Sequence, residues 1–331
     1  MTVQEIEKLF ENFDNSNVLV VGDVMVDSYM WGKVDRISPE APVPILAVHR
    51  KETRLGGAAN VALNIQSLGA NPIIHAIIGD DDKAEVYLGL MRERGLATGG
   101  ILISKNRPTT SKTRILSGGN QILRVDEETV QGISEEDEAA ILNSIQKSLE
   151  NDNIHVIVFQ DYDKGLISKS LIEGVVSLAK SHNIPIAVDP KKNNFSDYSG
   201  VDLFKPNLKE LIEGLKVDLD TKNIELIKEV VSKLKDTQQF GSVLLTLSEL
   251  GVYIKSDDTD AMVPAHIRDI NDVSGAGDTV ISVAALCMAA GISSIVLASI
   301  SNLAGGIVCE KVGVVPIDKA QLLKETISLL A

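Results

Sequence analysis

The chain is predicted to fold as an α/β domain with a mostly parallel central sheet, helices on both faces and a small β lid. Three observations carry this. Short β-branched runs alternate with longer helical patterns along most of the sequence, and such alternation demands crossovers between parallel strands. Two extended stretches, 29–54 and 101–126, break that rhythm. With 331 residues, 44% of them hydrophobic, the chain has enough apolar surface to bury one large core.

The first segment places Ile6, Leu9, Phe10 and Phe13 at helical spacing, an amphipathic helix unlike a secretory leader. Strands are expected at 17–21, 72–78, 155–159, 185–188, 203–205 and 242–247, and helices at 58–68, 84–94, 135–149, 169–182 and 224–234. The stretch 29–54 holds three prolines and few helix signals, and 101–126 reads as a hairpin around Gly118-Gly119-Asn120. Together they suggest a small sheet over the active site, serving as a lid or a dimer contact. Helices at 294–309 and 319–330 close the core, the first expected to be interrupted by Gly305-Gly306. In such a fold, ligands gather at the carboxyl ends of the parallel strands.

Bulk properties exclude several classes. A net charge of -14 argues against a nucleic-acid or anionic-membrane surface, so any positive site must be local. No apolar run reaches the length of a membrane span. Cys287 and Cys309 lie in apolar helical contexts without C-x-x-C spacing and read as buried thiols of a reducing cytosol, so a cytoplasmic location is expected. The five histidines show no H-x-x-x-H pair, and neither a P-loop, a protein-kinase H-R-D loop nor a nucleophile elbow occurs.

The chemistry concentrates in Asp272-Val-Ser-Gly-Ala-Gly-Asp278, followed by a small, apolar helical run. A glycine-rich helix start exposes backbone N–H groups, and the helix dipole adds partial positive charge, so the turn at Gly275, Ala276 and Gly277 suits phosphate. A carboxylate in that same turn is repelled by the phosphate unless it takes a proton, for instance from an attacking hydroxyl. Asp278 therefore reads as the base of phosphoryl transfer to an alcohol. Taken alone, the motif is equally a tight turn whose Asp complements the helix dipole. Gly22-Asp-Val-Met-Val-Asp27 places Asp23 and Asp27 at a strand end, where carboxylates can accept from sugar hydroxyls or simply meet solvent. Gly56-Gly57-Ala-Ala-Asn60 opens the next helix, allowing close backbone approach with Asn60 as a neutral donor and acceptor, or a plain tight turn.

The heptapeptide resembles the C-terminal signature of the PfkB, or ribokinase-like, carbohydrate kinases, D-T-x-G-A-G-D, with Val273 at the usual Thr position. That resemblance implies a three-layer α/β/α sandwich in which the first-strand Asp and the Gly-Gly-x-x-Asn helix start contact the sugar. Within the family, the Gly22–Asp27 segment, Arg36-Ile-Ser-Pro-Glu-Ala-Pro-Val-Pro44, Leu55-Gly-Gly-Ala-Ala-Asn-Val-Ala62 and Asp161-Tyr-Asp-Lys-Gly165 are similar to D-glycero-D-manno-heptose 7-phosphate kinases. The resemblance covers about 18–315. It implies that Lys164 pairs with the substrate phosphate and that Lys191, in Asp189-Pro-Lys191, reaches the nucleotide phosphates. Asn207-Leu-Lys-Glu210 matches the family's N-x-x-E motif, associated with hydrated Mg²⁺, so Asn207, Glu210 and Asp272 are the candidate metal contacts. The bare motif is also a helix capping pair. Thr246-Leu-Ser-Glu-Leu-Gly251 resembles the nucleotide loop T-x-G-x-x-G, with Ser248 in place of its first glycine. Asn302 is a candidate for the adenine or ribose pocket, or a packing amide.

Arg107, Lys112, Arg114 and Arg124 on the lid segment, joined by Lys51 and Arg54, suit a phosphorylated acceptor as a cluster, although surface solubility explains any one of them. The expectation is therefore an ATP- and Mg²⁺-dependent sugar-phosphate kinase forming a heptose 1,7-bisphosphate for surface polysaccharide. Monovalent-cation activation is a family trait it implies. Neither nucleic acid nor membrane is expected as a partner, and a homodimer through the lid is. The rivals are another sugar kinase of the family, acting on a fructose phosphate, ribose or a nucleoside, and a non-catalytic sugar-phosphate sensor. No H-x-G-H motif of a nucleotidyltransferase occurs, so 1–331 is expected to be a single kinase domain.

Overall fold

The computed structural model describes residues 1–331. After helix α1 (Val3–Phe13) the chain runs through β1 (Asn17–Gly22), β2 (Val24–Ile37), β3 (Pro44–Gly57), α2 (Ala58–Ser67), β4 (Asn71–Gly79), α3 (Asp82–Glu93), β5 (Ile101–Ser104), β6 (Ser111–Ser117) and β7 (Asn120–Glu127). The middle of the chain supplies α4 (Glu135–Asn151), β8 (Val156–Gln160), α5 (Lys169–His182), β9 (Ile186–Asp189), β10 (Leu203–Phe204), α6 (Leu208–Leu215) and α7 (Ile224–Gln238). It closes with β11 (Ser242–Thr246), β12 (Val252–Ser256), β13 (Asp260–Val263), α8 (Ala276–Ala289), α9 (Ser294–Cys309) and α10 (Lys319–Leu330).

Nine strands form the main sheet in the order β13-β12-β11-β10-β9-β8-β1-β4-β5. All neighbours are parallel except β11–β12 and β12–β13. The central strands read as unbroken apolar runs because both faces are covered: Val18–Val21 and Val156–Phe159 are fully buried. Helices α2, α8 and α9 form one contiguous layer, while α4 and α5 pair beside β4 and β5, and α7 packs on β11 and β12. Helix α8 is apolar all round, as its position between α2 and α9 requires.

A separate four-stranded sheet, β3-β2-β6-β7, is the lid. It pairs antiparallel at β2–β3 and β6–β7 and parallel at β2–β6. The lid is longer than expected at one end, since β2 starts at Val24, one residue beyond β1, and β3 continues to Gly57. It is shorter at the other. Residues Ile101–Ser104 add to the edge of the main sheet against β4, so only β6 and β7 of the expected 101–126 segment are lid strands.

Helix α9 corrects a second expectation, for it runs without a break through Gly305-Gly306. A Cβ on Gly305 would stand 2.9 Å from Val280 Cγ2, and one on Gly306 3.1 Å from Arg268 Cδ. These glycines are there for close packing of α9, which offsets their low helix propensity. The β12–β13 hairpin was not anticipated, while α6 takes the helix-capping alternative of the Asn207–Glu210 motif.

Candidate active site

The carboxyl ends of β1, β8 and β9 converge on the start of α8. There the chain turns through Gly275 at φ 80°, where a Cβ would lie 2.9 Å from Val314 Cγ1. No side chain caps this helix, and Asp278 stands in its first turn. A helix start with no side-chain cap is a ready anion site. The Asp272 carboxylate accepts from the N–H groups of Ser274 and Gly313, 2.9 Å each, and these bonds hold it below the usual carboxylate range. It pins the loop between Ser274 and Gly313.

Asp278 is 6% exposed. Its Oδ1 accepts from the Tyr162 hydroxyl at 2.7 Å and the Gln160 amide at 3.3 Å, and its Oδ2 from the Asn60 amide at 3.2 Å. Burial pushes the carboxyl up to about 6, and nearby Asp189 adds to the rise, against the Tyr162 and Asn60 hydrogen bonds and the Lys205 charge. Such a group changes protonation close to neutrality, as a general base should. Helix α2 delivers Asn60 from a start at Gly57, φ 64°, where a Cβ would stand 2.3 Å from the Asp23 carbonyl oxygen. Gly56 is constrained through a side chain instead of the backbone, since its Cβ would meet Asp27 Oδ2 at 2.2 Å.

The two first-strand carboxylates have different surroundings. Asp27 pairs with Arg114 at 2.5 Å across the β2–β6 ladder. Asp23 accepts from three backbone N–H groups, those of Tyr162 (3.0 Å), Lys164 (3.1 Å) and Leu166 (3.2 Å). Burial and the Asp161 charge raise it to about 6 despite these bonds. Asp23 therefore faces the 161–166 loop, and three of its acceptor positions hold that loop.

The cations expected to read a phosphate are already paired. Lys164 meets Glu128 at 2.7 Å, and Lys112 meets Glu128 at 2.8 Å and Asp126 at 3.3 Å. Arg107 donates to the Lys164 carbonyl oxygen and keeps a second, buried nitrogen without a partner. Arg124 stands on exposed β7, bonded to Asp126 at 2.8 Å, and Arg54 pairs with Glu52. Arg107, Lys112 and Lys164 thus share one cluster through Lys164 and Glu128, while Arg124 points to the outer lid.

On the opposite side Lys191 pairs with Glu210, and burial is outweighed by the Asp189 and Glu210 charges, which raise its ammonium. Asn207 and Glu210 form a reciprocal capping box on α6, with Glu210 N donating to Asn207 Oδ1 at 2.8 Å and Asn207 N to Glu210 Oε2 at 2.9 Å. Both are hard oxygen donors that fit a hydrated Mg²⁺. Thr246 ends β11 in a bridge to Asn207. Ser248 adopts φ 52°, a left-handed conformation that favours glycine, and Gly251 has φ 90° with a Cβ position 2.1 Å from the Val263 carbonyl oxygen. Asn302 donates to the Pro264 carbonyl oxygen at 2.8 Å and so ties α9 to the loop after β13.

Gln160, Tyr162, Asp189, Lys205 and Glu128 were missed in the sequence. Lys205, 2% exposed, pairs with Asp189 at 3.0 Å, and a Cβ on Gly277 would be 3.8 Å from each of these two side chains. A buried cation thus lies beneath the glycine turn. A cavity of about 470 Å³ beside α5, lined by Lys169, Glu173, Lys180 and Asp197, shares no residue with this cluster.

The sequence pattern of the pfkB family carbohydrate kinases matches residues 15–320. The chain belongs to this family. Like its relatives, this PfkB kinase is a phosphotransferase acting on a hydroxyl group. The bifunctional protein HldE of Sulfurimonas denitrificans is 39% identical over 306 residues, 92% of this chain and 63% of that protein. HldE of Methylobacillus flagellatus is 39% identical over 308 residues, 93% and 62% of the two lengths. The chain therefore spans less than two thirds of these relatives. Among solved structures, Escherichia coli phosphofructokinase-2 with potassium superposes with a TM-score of 0.78 at 16% identity, over 95% of this chain and 99% of that one. Arabidopsis thaliana ribokinase with ribose and ATP gives 0.72 at 19%, over 93% and 99%. These neighbours establish the ribokinase-like fold of this PfkB kinase.

Proposed function

We propose that this PfkB kinase transfers the γ-phosphoryl group of Mg-ATP to the anomeric hydroxyl of D-glycero-D-manno-heptose 7-phosphate, giving the 1,7-bisphosphate. The observation that carries the reaction is a buried carboxylate, Asp278, in the first turn of a helix that no side chain caps. In this reading Asp278 removes the acceptor proton, and the Gly275, Ala276 and Gly277 turn, above the Lys205–Asp189 pair, stabilises charge on the transferring group. Lys191, Thr246, Ser248, Gly251 and Asn302 line the nucleotide side. Asn207 and Glu210 would hold the hydrated Mg²⁺, which neutralises phosphate charge when bound. Asn60, Gly56, Gly57 and Asp27 meet the sugar, with Arg114 fixing Asp27.

The heptose branch rests on the motifs shared with heptose 7-phosphate kinases, and the 39% identity to HldE proteins supports it. Lys112 and Lys164, paired with Glu128, would receive the 7-phosphate by exchanging that carboxylate for a phosphate, with Arg107 beside them on the Lys164 carbonyl oxygen. Arg124 belongs instead to the outer lid, where exposed Ile122, Leu123 and Val125 suit a second copy of the chain. The test is ADP release with Mg-ATP, comparing heptose 7-phosphate with fructose 6-phosphate, fructose 1-phosphate and ribose. Strong preference for the heptose phosphate is expected; preference for another acceptor keeps the mechanism and discards the branch.

A further inference from the structure

Resting on the reading of Asp278 as base, we propose that Tyr162 is a positioning residue for it: by holding Oδ1, it leaves Oδ2 as the atom that takes the acceptor's proton. The two oxygens of Asp278 are unequal. Oδ1 receives the short bond from the Tyr162 hydroxyl at 2.7 Å and the Gln160 amide at 3.3 Å, whereas Oδ2 receives only the Asn60 amide at 3.2 Å. Asn60 lies on the α2 start beside Gly56 and Gly57, so Oδ2 is the oxygen turned toward the proposed sugar side. In the step itself the acceptor O–H gives its proton to Oδ2 while its oxygen bonds to the γ-phosphorus. The bond from that phosphorus to the bridging oxygen breaks, and ADP leaves with the electron pair.

Tyr162 is built for this task. Its backbone N–H is clamped by Asp23 at 3.0 Å, and the loop turns back at Gly165, φ 85°, where a Cβ would strike the Gln131 carbonyl oxygen at 2.0 Å. Burial and the Asp278 charge keep the phenol well above its ordinary range, so it remains a donor throughout the working pH. Its ring also lies 5.7 Å from Lys191 Nζ, which links the base to the Lys191–Glu210 pair. The buried carboxylate clamps made by Asp23 and Asp161 thereby gain a purpose beyond packing, since they fix the loop that aims the base.

A tyrosine that donates to the ionised carboxylate favours the ionised form. The other groups facing Asp278 are Asp189, which opposes its ionisation, Lys205 and Lys191, which favour it, and the neutral amides of Asn60 and Gln160. Removing only the phenol oxygen should therefore raise the Asp278 titration midpoint.

The test follows the Asp278 carboxyl by ¹³C NMR in protein labelled at aspartate Cγ, the resonance being assigned by its loss in Asp278→Asn. In Tyr162→Phe the midpoint should rise by about one pH unit, a tenfold change in the proton-binding constant. The acid limb of kcat should move by the same amount, with the acceptor KM little changed. Should Tyr162→Phe not fold, 3-fluorotyrosine at position 162, a more acidic donor, should lower the midpoint instead. An unchanged midpoint in either protein overturns the role of Tyr162. Full turnover in Asp278→Asn would overturn the base itself, a separate result that the NMR midpoint does not decide.

Discussion

Replacing Asp278 by Asn should make the protein both nearly inactive and more stable at neutral pH. The carboxyl is 6% exposed and titrates near 6, against an ordinary value of 3.8. Its folded-state pKa is raised, so the folded chain binds the proton more tightly than the unfolded chain. At pH 8 the group is ionised in both states, and the folded state carries a cost of about two pH units, roughly 3 kcal/mol. Below about pH 3 the group is protonated in both, and the cost vanishes. The amide of Asp278→Asn is neutral at every pH, so the variant should gain up to about 3 kcal/mol at pH 8, shrinking toward zero between pH 6 and 4. The gain is an upper bound, because the amide accepts less strongly from Tyr162 and Gln160. Turnover should fall by roughly 10² to 10⁴ without a matching change in ligand binding. Urea melts at pH 8 and pH 4 with ADP release in parallel provide the assay. A variant less stable at pH 8 would show that three donors more than compensate the buried charge, and undiminished turnover would remove Asp278 as base.

The remaining expectations concern the acceptor side and the lid. Lys164→Ala should raise KM for a phosphorylated acceptor far more than for an unphosphorylated sugar, whereas Glu128→Gln, which frees Lys164 and Lys112, should lower it at low salt; steady-state kinetics at two ionic strengths distinguish these outcomes. Gly56→Ala puts a methyl 2.2 Å from Asp27 Oδ2 and must displace the carboxylate from Arg114 or the backbone from α2, so a loss of about 1–3 kcal/mol and weaker acceptor binding are expected in melts and titrations. Leu123→Glu, on a lid strand where Leu123 is 55% exposed, should leave the melting temperature unchanged and shift a dimer toward monomer in light scattering.

The elements that sequence patterns reveal are those whose surroundings repeat. Helix α5 and helix α9 begin and end where their spacing places them, because each has one environment along its length. The break expected at Gly305-Gly306 failed because a glycine pair signals a turn only when nothing packs on it, and here α8 and Arg268 do. The edge strand Ile101–Ser104 looked like lid because its four residues carry no sign of which sheet they join. Motif residues with backbone duties were legible, as Gly56, Gly57, Gly275 and Gly251 show. Side chains brought in from distant strands were not. Tyr162 lies in the quoted Asp161–Gly165 motif without any sign of its task, Lys205 is one residue in an ordinary loop, and only the convergence of β8, β9 and β10 on α8 sets them beside the glycine turn. Asp23 was visible, but its three bonds to the 161–166 loop were not, since a carboxylate at a strand end looks alike whether or not N–H groups face it.

On the proposed function, the pairing of charges in the site would let a chain of net charge -14 take two phosphorylated ligands. Five cations of the site are each held by a carboxylate, Arg114 by Asp27, Lys164 and Lys112 by Glu128, Lys191 by Glu210 and Lys205 by Asp189, whereas Arg107 donates to a carbonyl oxygen. A bare cluster of this kind would repel itself and attract any anion. Paired, it binds phosphate by exchange, so only an anion that restores all the hydrogen bonds of the displaced carboxylate gains affinity. Lys205 and Asp189 are the exception. At 2% and 5% side-chain exposure they are too deeply buried to exchange, and breaking such a pair is strongly unfavourable. Their charge is therefore fixed in place beneath the glycine turn, where even a Cβ on Gly277 would make only ordinary contact, 3.8 Å from each side chain. In the proposed mechanism the exchangeable pairs would select the ligands and the buried pair would act on the transferring group, a division between binding and preorganisation that suits phosphoryl transfer.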